Sequence, residues 1–356
     1  MTNSTAIAPP SAPLTMADLY PRAARLGLPK KFIQEKILPN WWTDEVDQMP
    51  EALAEGALYL SRRLNLDLAS LLYSDTPQVL GLGSPKFKTA AQTNFNRLAI
   101  PCALAGRIAE LVGHNFCQPY QNVAGLAAAA VRQQILTQRS RVDLHGLLGF
   151  CTRSGIPVVH FSQFPQGLPR FQGMVVCHRG RPVIVVSRKE GSPAWLTFIV
   201  AHELGHILKG HLTGSTLLLD QDIQLESDDK EEDEANQAAA ELILGQPGIS
   251  YDLWSKFLKA ETLAQRAQQF AKESQNDPGV IALNIAWNRA QRSRTKKDAS
   301  IAWATGKKAL KILEGDSNAP HQINQNLMDC VDGETLGRDN SEYLTTMLGL
   351  TKGLDR

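Results

Sequence analysis

Hydrophobic positions along residues 17–75 repeat at helical spacing, with interruptions at short intervals. Leu19, Ala23, Leu26 and Leu28 share one side behind Asp18, which is suited to cap a first helix. Phe32, Ile33, Ile37 and Leu38 carry the pattern to Pro39-Asn40-Trp41-Trp42, where both indoles are expected to pack at a helix junction. Met49-Pro50 opens a helix with Leu53, Ala54, Ala57, Leu58 and Leu60 on its apolar side, and Leu64 to Leu72 supply a shorter one. Pro and Gly punctuate 76–90, which reads as a linker. Helices are predicted over 93–112, 123–138 and 143–151. The period then becomes extended: Ile156 to Phe161 reads as a strand, and Met174 to Cys177 with Val183 to Val186 as a hairpin over Arg179-Gly180-Arg181. Helical spacing returns over 195–208, 231–244 and 250–315. Beyond Glu314 the chain is polar and rich in Gly, Asp and Asn, so weak order is expected except near Tyr343 to Leu350.

These elements predict a mostly helical α+β protein in four parts. They are a disordered leader over 1–16, a helical region with its linker over 17–90, a domain of small sheet and helices over 91–315, and a polar tail over 316–356.

Composition narrows the classes. The 356 residues carry a formal net charge of +1, so only a local patch can argue for nucleic acid. No apolar run approaches the length of a membrane span, and residues 1–13 lack the basic start and apolar core of a signal peptide. Five scattered cysteines with no CxxC pair fit a reducing cytoplasm.

The chemistry concentrates at His202-Glu203-Leu204-Gly205-His206. On a helix, His202 and His206 project from one face and can share one Zn²⁺, while Glu203 can take a proton from a water on the metal. Gly205 costs helix stability relative to Ala, and close approach of another backbone is its expected reason. A catalytic zinc needs a third protein ligand. His211 lies one residue off the metzincin spacing and reads as a surface histidine. In the helix over 231–244, the stripe of Ala235, Ala239, Leu242 and Ile243 takes in Glu232 and Asn236, whereas Glu234 points away. Glu232 is the expected third ligand, with Asn236 beside the ligands as its neighbour. The bland alternative is a solvated charge run over 228–234.

Together these residues resemble the ImmA/IrrE family of metallo-endopeptidases. The resemblance runs over about 123–290 and rests on Phe198 to His206, the preceding hairpin, and Glu232-Asp233-Glu234-Ala235-Asn236 with Ala239 to Leu242. It implies a zincin-like catalytic domain, with His202, His206 and Glu232 as zinc ligands and Glu203 as the catalytic glutamate. It also implies a protein substrate, a DNA-binding helix-turn-helix repressor whose cleavage switches on stress or mobile-element and defence genes. The chain departs from the family at Ala238 and Gly245, where Phe and Pro are frequent.

Three further features qualify this reading. The paired helices around Arg62 to Asp67 resemble the helix-turn-helix of phage-repressor-like (XRE) regulators, yet Asp67 to Leu72 offers almost no base-reading side chain. Arg289, Arg292, Arg294, Lys296 and Lys297, interleaved with Trp287 and Trp303, form a candidate site for single-stranded DNA as activator, or else a solvated helix face. Cys102, Cys117, Cys151 and Cys177 could supply a resting thiolate ligand to the metal, against the blander reading of buried structural cysteines. The alternative to an enzyme is a regulatory DNA- or protein-binding module on a metal-stabilised scaffold, for which Glu203 would have no use.

Overall fold

The computed structural model describes residues 14–80, 86–87, 95–189, 191–212, 217–220, 229–253 and 258–350. The expected leader lies outside these residues up to position 13, and Met16 already sits buried in the first helix. The chain divides into two compact units: Met1–Leu80 with Pro165–Leu168, and Gly81–Phe164 with Pro169–Arg356.

The first unit is helical. It comprises α1 (Met16–Arg25), α2 (Lys30–Phe32) running into a π-helical turn over Ile33–Ile37, α3 (Asp44–Asp47), α4 (Ala52–Leu64) and α5 (Leu68–Tyr73). Leu19, Ile33, Ile37, Leu60, Leu64 and Leu71 fill its core. Asp47 is buried and accepts from the Tyr20 hydroxyl at 2.6 Å and Trp42 Nε1 at 2.7 Å, with Lys30 Nζ 3.1 Å away. That network explains why only one of the two tryptophans is inside. Trp42 has a buried acceptor for its indole N–H, whereas Trp41 is 53% exposed, contrary to the expectation for the pair. Asn65, in the left-handed region at φ 54°, joins α4 to α5, and Asp67 caps α5 by accepting from Ser70 N.

The second unit holds a five-stranded sheet in the order β1 (Lys86–Phe87), β5 (Leu217–Asp220), β3 (Gly173–His178), β4 (Arg181–Val186), β2 (Val158–His160). β3 pairs antiparallel with both β4 and β5, while β2–β4 and β1–β5 are parallel. The predicted hairpin is therefore interior. The strand that flanks it, β5, falls in a stretch whose sequence shows no alternating strand pattern.

Around the sheet lie α6 (Phe95–His114), α7 (Ala128–Leu136), α8 (Leu144–Arg153), α9 (Pro193–Leu208), α10 (Lys230–Leu244), α11 (Ala260–Ser274), α12 (Pro278–Gln291) and α13 (Lys296–Glu314). β4 is apolar without alternation because both faces are covered. Val183 meets Gly113 of α6, and Ile184 and Val186 join the core built around α9.

α9 is the centre of this core. Ser192 caps it by accepting from Trp195 N, Pro193 stands at its first turn, and thirteen of its sixteen residues are buried. Its start is held from outside: Glu314, at the end of α13, accepts from Ala194 N at 2.9 Å and from Ser192 Oγ at 3.1 Å. α10 opens on Asp229, which caps Glu231 N, and ends where Gly245 turns left-handed at φ 96°. Buried Arg132 braces that end by donating to Leu242 O, Ser274 O and Asn276 Oδ1.

α9 and α10 touch at Gly205. A Cβ there would stand 2.7 Å from the Ala235 carbonyl oxygen, so the glycine admits the second backbone. Gly205→Ala is expected to cost about 1–3 kcal/mol of stability in denaturant unfolding, outweighing its gain in helix propensity. An unchanged or raised midpoint would contradict this account.

Beyond Glu314, where order was expected only near Tyr343 to Leu350, the described residues form three helices, α14 (Ala319–Met328), α15 (Gly333–Leu336) and α16 (Arg338–Met347), with Ile323, Leu327, Tyr343, Leu344 and Met347 buried. The physical reason lies in Asn324, which is 2% exposed. Its Oδ1 accepts from His160 N at 2.8 Å and its Nδ2 donates to His160 O at 2.9 Å and Leu348 O at 3.1 Å. One amide side chain thus does for edge strand β2 what a neighbouring strand would do.

His160 is itself buried, which pushes its imidazole pKa below the ordinary 6.5, and the neutral ring donates from Nε2 to Arg188 O at 2.7 Å. With the folded value depressed, its contribution is intact above the unfolded pKa and lost as the solution is acidified below it. Stability should fall as pH drops below about 6.5, and less so in His160→Gln; equal slopes for the two proteins would refute the assignment.

Candidate metal centre

The approach of α9 to α10 carries two histidines and a carboxylate to one point. His202 and His206 are fully buried and Glu232 is 4% exposed. His202 Nε2 and His206 Nε2 lie 3.1 Å apart, with Glu232 Oε2 3.4 Å from the first and Oε1 3.3 Å from the second. Tetrahedral ligands on a zinc-sized ion, each about 2.0–2.1 Å from it, stand about 3.3 Å from one another. The three donors fit a metal in both type and spacing, and all candidate ligand atoms of the group lie within 4.8 Å.

The outer ring nitrogens are engaged as well. His202 Nδ1 is 3.0 Å from Asn236 Oδ1, so a metal on Nε2 leaves the proton on Nδ1 for donation to the amide oxygen. His206 Nδ1 is 2.9 Å from His211 Nδ1, and His211 Nε2 is 3.0 Å from Glu234 Oε2. With His206 binding through Nε2, the protons fall in one order: His206 Nδ1 donates to His211 Nδ1, and His211 Nε2 donates to Glu234. That hydrogen bond is the main influence holding the Glu234 carboxyl below its ordinary range.

His211 is therefore no surface histidine; it is 6% exposed. Glu234 does point away from the α10 stripe, but towards His211. Gly210, left-handed at φ 73°, turns the chain back so that His211 N reaches His206 O. A glycine at this turn was the one available signal in the sequence.

Glu203, on the same turn of α9, is fully buried beside β3. A side chain at Gly173 would overlap its carboxylate. The general-base candidate thus sits against the sheet, with β5 as the next strand outward.

An apolar cavity of about 480 Å³ adjoins the centre, walled by Trp195, Phe198, Asn236, Ile243, Trp287 and Trp303. Trp195 and Trp303 stack with centroids 5.6 Å apart. The two tryptophans expected to interleave with the basic cluster therefore line this cavity. Of the cluster, Arg289 donates to Leu253 O and Arg292 pairs with Asp252, while Arg294, Lys296 and Lys297 are exposed at the α12–α13 junction.

The cysteines stand apart from the ligand group, which contains no thiol among the described residues. Burial pushes the Cys102 and Cys151 thiols up to about 12, so neither offers a thiolate near neutrality.

A buried donor set of two histidines one helical turn apart, a glutamate from a second helix and a carboxylate beside the first histidine defines a metal-dependent hydrolase type of site. Residues 151–272 match the family model of Peptidase M78, the IrrE N-terminal-like domain, and these include every residue of the centre. The match supports the resemblance to the ImmA/IrrE family and a metallopeptidase-type function, which implies a protein substrate. No curated protein matches the chain.

Proposed function

We propose that the second unit is a zinc-dependent endopeptidase that cleaves a DNA-binding helix-turn-helix repressor, switching on stress or mobile-element and defence genes in the cytoplasm. The observation that carries the enzymatic part is the spacing of His202 Nε2, His206 Nε2 and Glu232, with Glu203 buried alongside. The repressor as substrate rests on the family resemblance. No described helix is long and apolar enough to cross a membrane.

His202, His206 and Glu232 would hold one Zn²⁺, which when bound polarises a peptide carbonyl and acidifies a water. Asn236 and His211 fix the two imidazoles with Nε2 facing inward. Glu203 takes the proton of the attacking water on a carboxylate oxygen and delivers it to the leaving amide nitrogen. The buried surroundings strengthen each of these electrostatic contacts by excluding solvent.

The test joins metal analysis to cleavage. The chain should carry one zinc per molecule and cut a repressor encoded beside it once. Chelation should stop the reaction and added zinc restore it, and parallel reactions with single-stranded DNA would show whether the exposed Arg294, Lys296 and Lys297 serve an activator. Bound zinc without cleavage of any such repressor, with or without DNA, would favour a metal-stabilised binding module instead.

A further inference from the structure

The structure places two cysteines beside one another, outside the His202, His206 and Glu232 group. Cys117 follows α6 and Cys330 follows α14. Phe116 and Val331 form an isolated antiparallel bridge, flanked by Cys117 N donating to Cys330 O at 2.8 Å and Asp332 N donating to Asn115 O at 2.8 Å. One step along each segment from that bridge, Cys117 faces Cys330. Cys330 N turns back to Leu327 O, so the two cysteines share one of the two backbone bonds of a full antiparallel pair, whose opposing Cα atoms stand about 5.5 Å apart with side chains on the same side. A disulfide needs that Cα separation.

The two thiols differ in access. Cys117 is exposed and Cys330 is half-buried. Burial, and then the Cys117 side chain beside it, raises the Cys330 thiol above its ordinary value. Cys102 and Cys151 are buried and Cys177 is half-buried, so an oxidant in solution meets Cys117 first.

We infer that Cys117 and Cys330 form a reversible dithiol–disulfide site that a hydroperoxide oxidises. The Cys117 thiolate attacks the terminal oxygen of the hydroperoxide, the O–O bond breaks, and water or an alcohol leaves. Cys117 is then a sulfenic acid. Cys330 loses its proton and its sulfur attacks the Cys117 sulfur; the S–O bond breaks, water leaves and the S–S bond forms. Two thiols have given up two electrons to one peroxide. The bond staples the end of α6 to the end of α14 and closes a long loop, so it restricts the unfolded chain.

Hydrogen peroxide applied to the full chain, followed by non-reducing peptide mapping, tests the assignment. The major product should be one peptide pair containing Cys117 and Cys330, lighter by two hydrogen masses than the separate peptides and restored by dithiothreitol. The oxidised protein should melt at a higher temperature than the reduced one. Cys117→Ser should lose the product, keep Cys330 as a free thiol, and melt alike with and without peroxide. Sulfinic or sulfonic acid at Cys117 without linkage, linkage to Cys177 or to a second chain, or no reaction at all would overturn the inference. Zinc binding and peptide cleavage play no part in this readout, so it stands or falls independently of the proposed function.

Discussion

Glu203→Gln should lower peptide hydrolysis by about 10²–10⁴-fold while metal content stays unchanged. Glutamine nearly matches the shape of the carboxylate that packs against Gly173, so the fold has no reason to respond. It cannot accept a proton, and the ligand group is formed by His202, His206 and Glu232. Single-turnover cleavage with parallel metal analysis separates the two properties. A variant as active as the parent would assign the cleavage to another protein or another base. A variant that loses both metal and activity would make Glu203 a structural support for the ligands.

His211→Ala should weaken metal binding by about 10–100-fold, read by competition with a chromogenic chelator. The imidazole accepts from His206 Nδ1 and donates to Glu234, so it selects the tautomer that leaves His206 Nε2 bare for a metal. Glu234→Gln should have a smaller effect in the same direction, because the amide oxygen still accepts from His211 Nε2. Equal metal affinity in parent and His211→Ala would reduce His211 to a packing residue.

The two histidines of α9 and the general-base candidate were legible because helical geometry alone decides which residues at spacing four share a face. Glu232 and Asn236 were legible for the same reason, projected onto the apolar stripe of α10. His211 was not, because it lies beyond the end of α9: the left-handed turn at Gly210 folds it back, and helical periodicity says nothing about residues past a cap. Glu234 does lie off the stripe, but its partner His211 comes from outside α10, where the helical period gives no guide. β5 escaped notice because a strand of four residues carries almost no period and owes its form to pairing with β3. Beyond Glu314 order was expected only near Tyr343 to Leu350; α14 and α15 escaped because their polar composition conceals Asn324, whose amide completes a sheet edge that sequence patterns do not reveal.

The anchoring of α9 by Glu314 has a consequence for how the molecule comes apart. α13 holds the first turn of the metal helix, and α14 holds the free edge of β2. Both lie beyond the matched residues 151–272. The segment that carries the chemistry therefore shares its cooperative unit with the end of the chain. Backbone amides of α9 and of α13 should exchange with deuterium through the same opening, so a lesion in the last helices would reach the metal ligands as a rise in local unfolding.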